Sequence, residues 1–179
     1  MNFGMDTYLH ATPERYRPGI GLPPGAGRED LEEFVPLFYA ALYESIAMHC
    51  AFGLNVVAEL AHHDDYSRPL GILSDCARRL EELPVLFVGV RCPIDVIKER
   101  LPTGQNGAAA EIAGDPARWQ EAVHTPGIYD VEVDTARMSL AECVAAIRER
   151  LEAGVASPSA FEQLAERHLV PVAADSYDL

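Results

Sequence analysis

Asp6 stands where a short apolar run, Met1 to Met5, gives way to turn and helix signals. In an open α/β sheet ligands bind beyond the carboxyl ends of the strands, so an acid at that point is placed to work as a general base. Capping of the segment that follows is the competing role for an Asp in this position. Glu59 holds the corresponding place at the end of a second apolar run, Leu54 to Leu60. His62-His63-Asp64-Asp65-Tyr66 comes directly after it, five side chains able to bind ligands on a strand-to-helix loop. Adjacent histidines on extended backbone point to opposite sides, and no third ligand is spaced for zinc. Metal binding is therefore the weakest of three readings, behind substrate contact and a solvated capping loop.

These residues need strands to hold them, and the hydrophobic pattern supplies strands and helices in alternation. The stretch 10–30 is rich in Pro and Gly and reads as a long surface loop. Its Gly25-Ala26-Gly27 step is a poor phosphate cradle, because Glu29, Asp30, Glu32 and Glu33 already crowd the helix start and would repel an anion. A long amphipathic helix is predicted over 31–51 with Phe34, Phe38, Ala41, Leu42, Ser45, Ile46 and His49 on its inner stripe, Pro36 near its first turn and Gly53 ending it. Leu54 to Leu60 reads as a buried strand. A second helix, within 69–83, puts Leu70, Leu73, Cys76, Ala77 and Leu80 on one stripe. Pro84 to Val90 is the continuous apolar run of a parallel strand covered on both faces.

Cys92-Pro93 opens a third helix, residues 102–117 turn loop-like in the manner of a flap, and Arg118 to His124 forms a short helix. Tyr129 to Thr135 alternates like a strand near an edge. Ser139 and Glu142 form a capping box ahead of the last long helix, whose inner stripe is Leu140, Cys143, Val144, Ile147 and Leu151. A short helix around Pro158 to His168 and a tail, Leu169 to Leu179, end the chain. Such alternation predicts a parallel α/β sheet.

Composition narrows the partners. Acids outnumber bases 28 to 14, and the net charge of -14 opposes attraction to nucleic acid or anionic lipid. No apolar run approaches a membrane span and no signal peptide is visible, so the expected location is the cytoplasm and the expected partner a small molecule. The four cysteines lie far apart without a C-x-x-C pair, which predicts small buried hydrophobes. Lys98 is the only lysine.

Val85-Leu86-Phe87-Val88-Gly89-Val90-Arg91-Cys92, paired with Tyr129-Asp130-Val131-Glu132-Val133-Asp134-Thr135, and Phe3-Gly4-Met5-Asp6 at a strand end together resemble the chloramphenicol phosphotransferase-like family. These are small-molecule kinases of the P-loop fold, and the resemblance runs from about Met1 to Leu151. It implies a three-layer P-loop-kinase-like parallel α/β sheet flanked by helices over residues 1–153, with 154–179 a C-terminal extension. It also implies ATP and Mg as cofactors and a small hydroxylated metabolite or antibiotic as substrate. Asp6 would be the base for the acceptor hydroxyl. Glu59, where the family has an Asp, would orient magnesium or its waters. Arg100, as a lid arginine, and Arg118 would lie near the nucleotide, and His62, His63, Asp64, Asp65 and Tyr66 would line the acceptor pocket.

The sequence departs from that pattern in three places. The first, central strand and the G-x-x-x-x-G-K-[ST] loop are expected to be missing, since nothing precedes Met1 and Lys98 lies within a predicted helix. Gly104 and Gly107 stand where further lid arginines align, and Glu59 is one methylene longer than Asp. Without the central strand, strands 54–60 and 85–90 would flank an empty slot. Direct closure, insertion of the tail segment His168 to Val172, and strand donation from a second copy in a homodimer are all open. Three outcomes follow: an ATP-dependent O-phosphotransferase, a repurposed or inactive member that binds or acts on a small molecule without ATP, or an inert fragment.

Overall fold

The computed structural model describes residues 1–19, 28–100, 116–154 and 156–167, and it is an α/β structure of short parallel ladders flanked by helices. The Gly25 to Gly27 step, the 102–117 flap apart from its last two residues, which open a helix, and the tail segment His168 to Val172 lie outside the described residues. β1 (Asn2–Gly4) pairs in parallel with β2 (Val57–Glu59), with Gly4 opposite Glu59. β3 (Val88–Arg91) pairs in parallel with β4 (Val131–Asp134), with Arg91 opposite Asp134. Among the described residues no backbone ladder joins the two pairs.

Both inner strands are shorter than their apolar runs, and local turns explain why. Leu54 N–H donates to the His49 carbonyl at 3.1 Å, so the chain is still closing the preceding helix there. Pairing begins at Val57, whose N–H donates to the Met1 carbonyl at 2.8 Å. Likewise Val85 N–H turns back to the Leu83 carbonyl at 2.8 Å, which leaves Val88 as the first residue of β3.

α1 (Met5–Ala11) follows β1 without a loop, so Asp6 sits in the first turn of a helix and not on the strand. A 3-10 turn, Glu29–Phe34, leads into α2 (Val35–Ala51), and Pro36 falls in the first two positions, where its missing N–H costs no helical bond. Gly53 ends the run at φ +78°, the left-handed conformation expected of a terminating glycine.

The buried face of α2 is Val35, Tyr39, Leu42, Tyr43 and Ile46. Leu42 and Ile46 belong to the expected stripe, but Phe34 is exposed and two tyrosines take the interior instead. They do so because each hydroxyl finds an acceptor inside: Tyr39 donates to the Ala61 carbonyl (3.2 Å) and Tyr43 to the Ile72 carbonyl (3.4 Å). The segment Glu29–Ala51 is, by length and a mean hydropathy of 1.2, long and apolar enough to cross a membrane, contrary to the sequence expectation. That property is weak evidence for a span, since this helix supplies the main hydrophobic core of the domain.

α3 (Ile72–Arg79) packs Ile72, Cys76 and Ala77 against α2, with Leu70 and Leu80 buried at its ends. Two of the four cysteines, Cys76 and Cys143, are buried and the other two are half-buried; all four are free. α4 (Ile94–Arg100), α5 (Pro116–Val123) and α6 (Leu140–Glu152) follow, and Ser139 with Glu142 makes the expected capping box on α6. α7 (Ala160–Glu166), in the segment read as an extension, carries a second capping box from Ser159 and Glu162. Its Phe161 and Leu164 enter the same core as α2 and α3. The Asp130 carboxylate ties it down, accepting from Ala160 N–H at 2.9 Å and from Phe87 N–H at 2.8 Å.

Candidate functional site

The parallel register fixes the first part of the site. Gly4 and Glu59 are partners across the β1–β2 ladder, so the chain ends of two strands lie about 4.8 Å apart. Glu59 is the last residue of β2, and Asp6 is two residues beyond Gly4. Both side chains are exposed, and neither carboxylate makes a hydrogen bond or ion pair among the described residues. Two unengaged acids thus share the carboxyl end of one ladder.

Beyond Glu59 the His62 to Tyr66 loop passes in front of α2, and the two imidazoles diverge as extended backbone requires. His62 is buried between the rings of Tyr39 and Tyr43, at centroid distances of 5.7 and 5.9 Å. Its Nε2 lies 2.8 Å from the Tyr43 hydroxyl oxygen. Since that hydroxyl points at the Ile72 carbonyl, the His62 Nε2–H is the donor of the pair. Burial, helped by neighbouring His63, pushes the imidazole down to about 4, so it is neutral near pH 7.

His63 stacks on Tyr66 (4.4 Å, 20° between planes) and meets Trp119 of α5 at 5.4 Å and 59°. Its Nδ1 accepts from Asp65 N–H at 3.2 Å, which places its proton on Nε2. The Asp64 Oδ1 accepts from the N–H groups of Leu70, Gly71 and Ile72 at 3.1, 2.8 and 3.3 Å. That oxygen caps α3, the role in which the loop reading and the capping reading of this stretch meet. Asp65 pairs with Arg118 at 2.5 Å. The Tyr66 hydroxyl is buried without a hydrogen-bond partner, and burial pushes its phenol well above the usual range.

Arg100 lies at the other ladder. Its guanidinium donates to the Thr135 carbonyl at 2.8 Å and to Thr135 Oγ1 at 3.1 Å, at the carboxyl end of β4. No hydrogen bond or ion pair joins it to Asp6, Glu59 or the His62 to Tyr66 loop among the described residues. The structure therefore puts Asp6 and Glu59 at the same end of one ladder and joins Arg118 to the loop, while Arg100 is bonded at the other ladder. Sequence reasoning missed Trp119, Tyr39 and Tyr43. Trp119 carried one legible signal, being the chain's single tryptophan and adjacent to Arg118.

A family model described as chloramphenicol phosphotransferase-like protein matches residues 1–152. The chain belongs to this family. No curated protein and no solved structure matches it. Membership makes the chain a phosphotransferase-like protein, and the matched residues hold Asp6, Glu59, the His62 to Tyr66 loop and both arginines. α7 lies past the matched range.

Family kinases take MgATP, and the described residues fit that group unevenly. No three of their His, Cys, Asp or Glu side chains converge as a metal cage. Magnesium bound with nucleotide needs only one or two carboxylates beside the phosphates and water, and Asp6 and Glu59, both exposed, are of the type that could supply them. Arg100 is turned onto Thr135, Arg118 pairs with Asp65, and Lys98 lies in α4.

Proposed function

We propose that this phosphotransferase-like protein binds a small hydroxylated molecule at the carboxyl end of the β1–β2 ladder, with Asp6 as the base for its hydroxyl. The observation that carries the reading is the Gly4–Glu59 register, which puts Glu59 and, two residues past Gly4, Asp6 at the same end of the β1–β2 ladder in a member of this family. An acid there accepts a proton from an alcohol within hydrogen-bond reach. The His62 to Tyr66 loop, leaving β2 just beyond Glu59, forms the wall of this acceptor site. The ancestral reaction is ATP-dependent O-phosphorylation on a three-layer parallel sheet, and the expected setting is the cytoplasm.

Lys98 favours a second reading. It is the chain's only lysine and belongs to α4, so residues 1–179 hold no G-x-x-x-x-G-K run. On this reading the acceptor side persists and binds its small molecule without ATP.

Calorimetric titration separates the two. Saturable heat with MgATP supports the kinase; its absence, with retained metabolite binding, supports the second reading. Common to both is a thermal-shift screen of hydroxylated metabolites and antibiotics. Stabilisation by a hit should be abolished by Asp6→Ala. Hits indifferent to Asp6→Ala and to Glu59→Ala would sink the acceptor-site reading.

A further inference from the structure

The His62 to Tyr66 loop is fixed to the body of the domain through residues that no longer face outward. His62 is locked to Tyr43 of α2, and Asp64 caps α3. Tyr66 packs against the same core, and His63 and Asp65 are met by a helix from much later in the chain. His63 is buried, although it belongs to a loop, because Tyr66 covers one side and Trp119 closes on the ring at 5.4 Å. Beside it Asp65 holds Arg118 at 2.5 Å, with both side chains close to 40% exposed. These two contacts act as one unit, since the Asp65 N–H donates to the His63 Nδ1.

We propose that α5 is a clamp on this loop, with Trp119 the positioning residue that holds the His63 ring and the Arg118–Asp65 pair its polar pin. Arg118 and Trp119 are consecutive, so one turn of α5 delivers both contacts. α5 rests on α4, and its lifting would uncover the His63 ring and expose Asp65 further. The functional consequence, control of the acceptor wall from α5, rests on the acceptor-site reading above; the clamp itself does not.

The lone tryptophan makes the clamp observable from both sides. Seen from His63, its Cε1–H resonance, assigned by its loss in His63→Ala, should move toward the value of a free imidazole in Trp119→Ala and stay near wild type in Trp119→Phe. Viewed from Trp119, emission should shift to the red and iodide quenching should rise in His63→Ala. Loss of one aromatic pair lowers the docked-to-undocked ratio about fivefold. Arg118→Gln should move both signals in the same direction, and it serves in place of Trp119→Ala should that variant not fold by far-UV circular dichroism. An unchanged His63 resonance in Trp119→Ala or Arg118→Gln, or unchanged Trp119 emission in His63→Ala, overturns the clamp.

Metabolite stabilisation measured on the same variants keeps the two readings distinct. If Trp119→Ala frees His63 while a hit still stabilises the protein as before, the clamp stands and the loop is not the acceptor wall. If the His63 resonance does not move, the clamp falls and the Asp6 reading is judged on its own test.

Discussion

Acidification should unfold this protein through His62 in a way a single substitution can isolate. The imidazole is enclosed by Tyr39 and Tyr43, and its proton affinity is held at about 4, against about 6.5 for a free histidine. Between those values the unfolded chain binds a proton that the folded one refuses. The folded state is therefore favoured above pH 6.5 and loses that advantage as pH falls toward 4. At pH 5 the loss amounts to about 2 kcal/mol, and by pH 4 to about 3 kcal/mol. For a domain of this size 2 kcal/mol lowers the melting temperature by about 4–8 °C. Carboxylates titrate over the same range, so the comparison needs a partner variant. His62→Gln keeps an N–H donor for the Tyr43 oxygen and does not titrate. Melting temperatures of both proteins from pH 7.5 to 4.5 should converge on acidification, with the histidine form losing the additional amount. Parallel lines across that range would refute the reasoning and would mean that His62 is hydrated or protonated in the fold.

Three other perturbations test the framework around the site. Asp64→Ala removes the acceptor of three backbone N–H groups at the start of α3 and should cost about 1–3 kcal/mol in urea denaturation; Asp64→Asn, which keeps an oxygen, should recover most of it. Gly89→Ala would put a methyl group 2.7–2.8 Å from the Tyr129 ring, which is packed between Phe87 and His124. A cost of about 1–3 kcal/mol is expected, relieved in a double variant with Tyr129→Leu. Leu164→Ala empties a fully buried position between α7 and α3 and should cost about 2–5 kcal/mol, whereas Gln163→Ala on the same helix should be nearly neutral.

Much of this architecture is legible in the residues, and the failures have identifiable causes. The capping box at Ser139, the termination at Gly53, and the stripe of Leu70, Cys76, Ala77 and Leu80 follow from local chemistry, and they stand in the structure where that chemistry puts them. The face of α2 is misjudged where an apolar ranking places Phe inside and Tyr outside. Interior carbonyls at Ala61 and Ile72 reverse that order, and they come from distant parts of the chain. The position of Asp6 at a chain crossing is legible, but its place on a helix is not. β1 stops at Gly4 because the pairing with β2 stops there, a long-range event. The pairing of Asp65 with Arg118 spans more than fifty residues and leaves no local trace.

The Asp130 carboxylate has a consequence for how this protein is cut and compared. One of its oxygens serves Phe87, at the approach to β3, and the other serves Ala160, past the last residue the family model covers. Ancestry and folding draw their borders in different places here. A fragment trimmed to residues 1–152 would keep every residue that shows descent and lose Phe161 and Leu164 from the core. The bared faces of α3 and Phe87 would then meet water or another copy, and aggregation of such a fragment would say nothing about the site. Work on the acceptor chemistry should therefore carry α7 along, as a cofolding part and not as a tail.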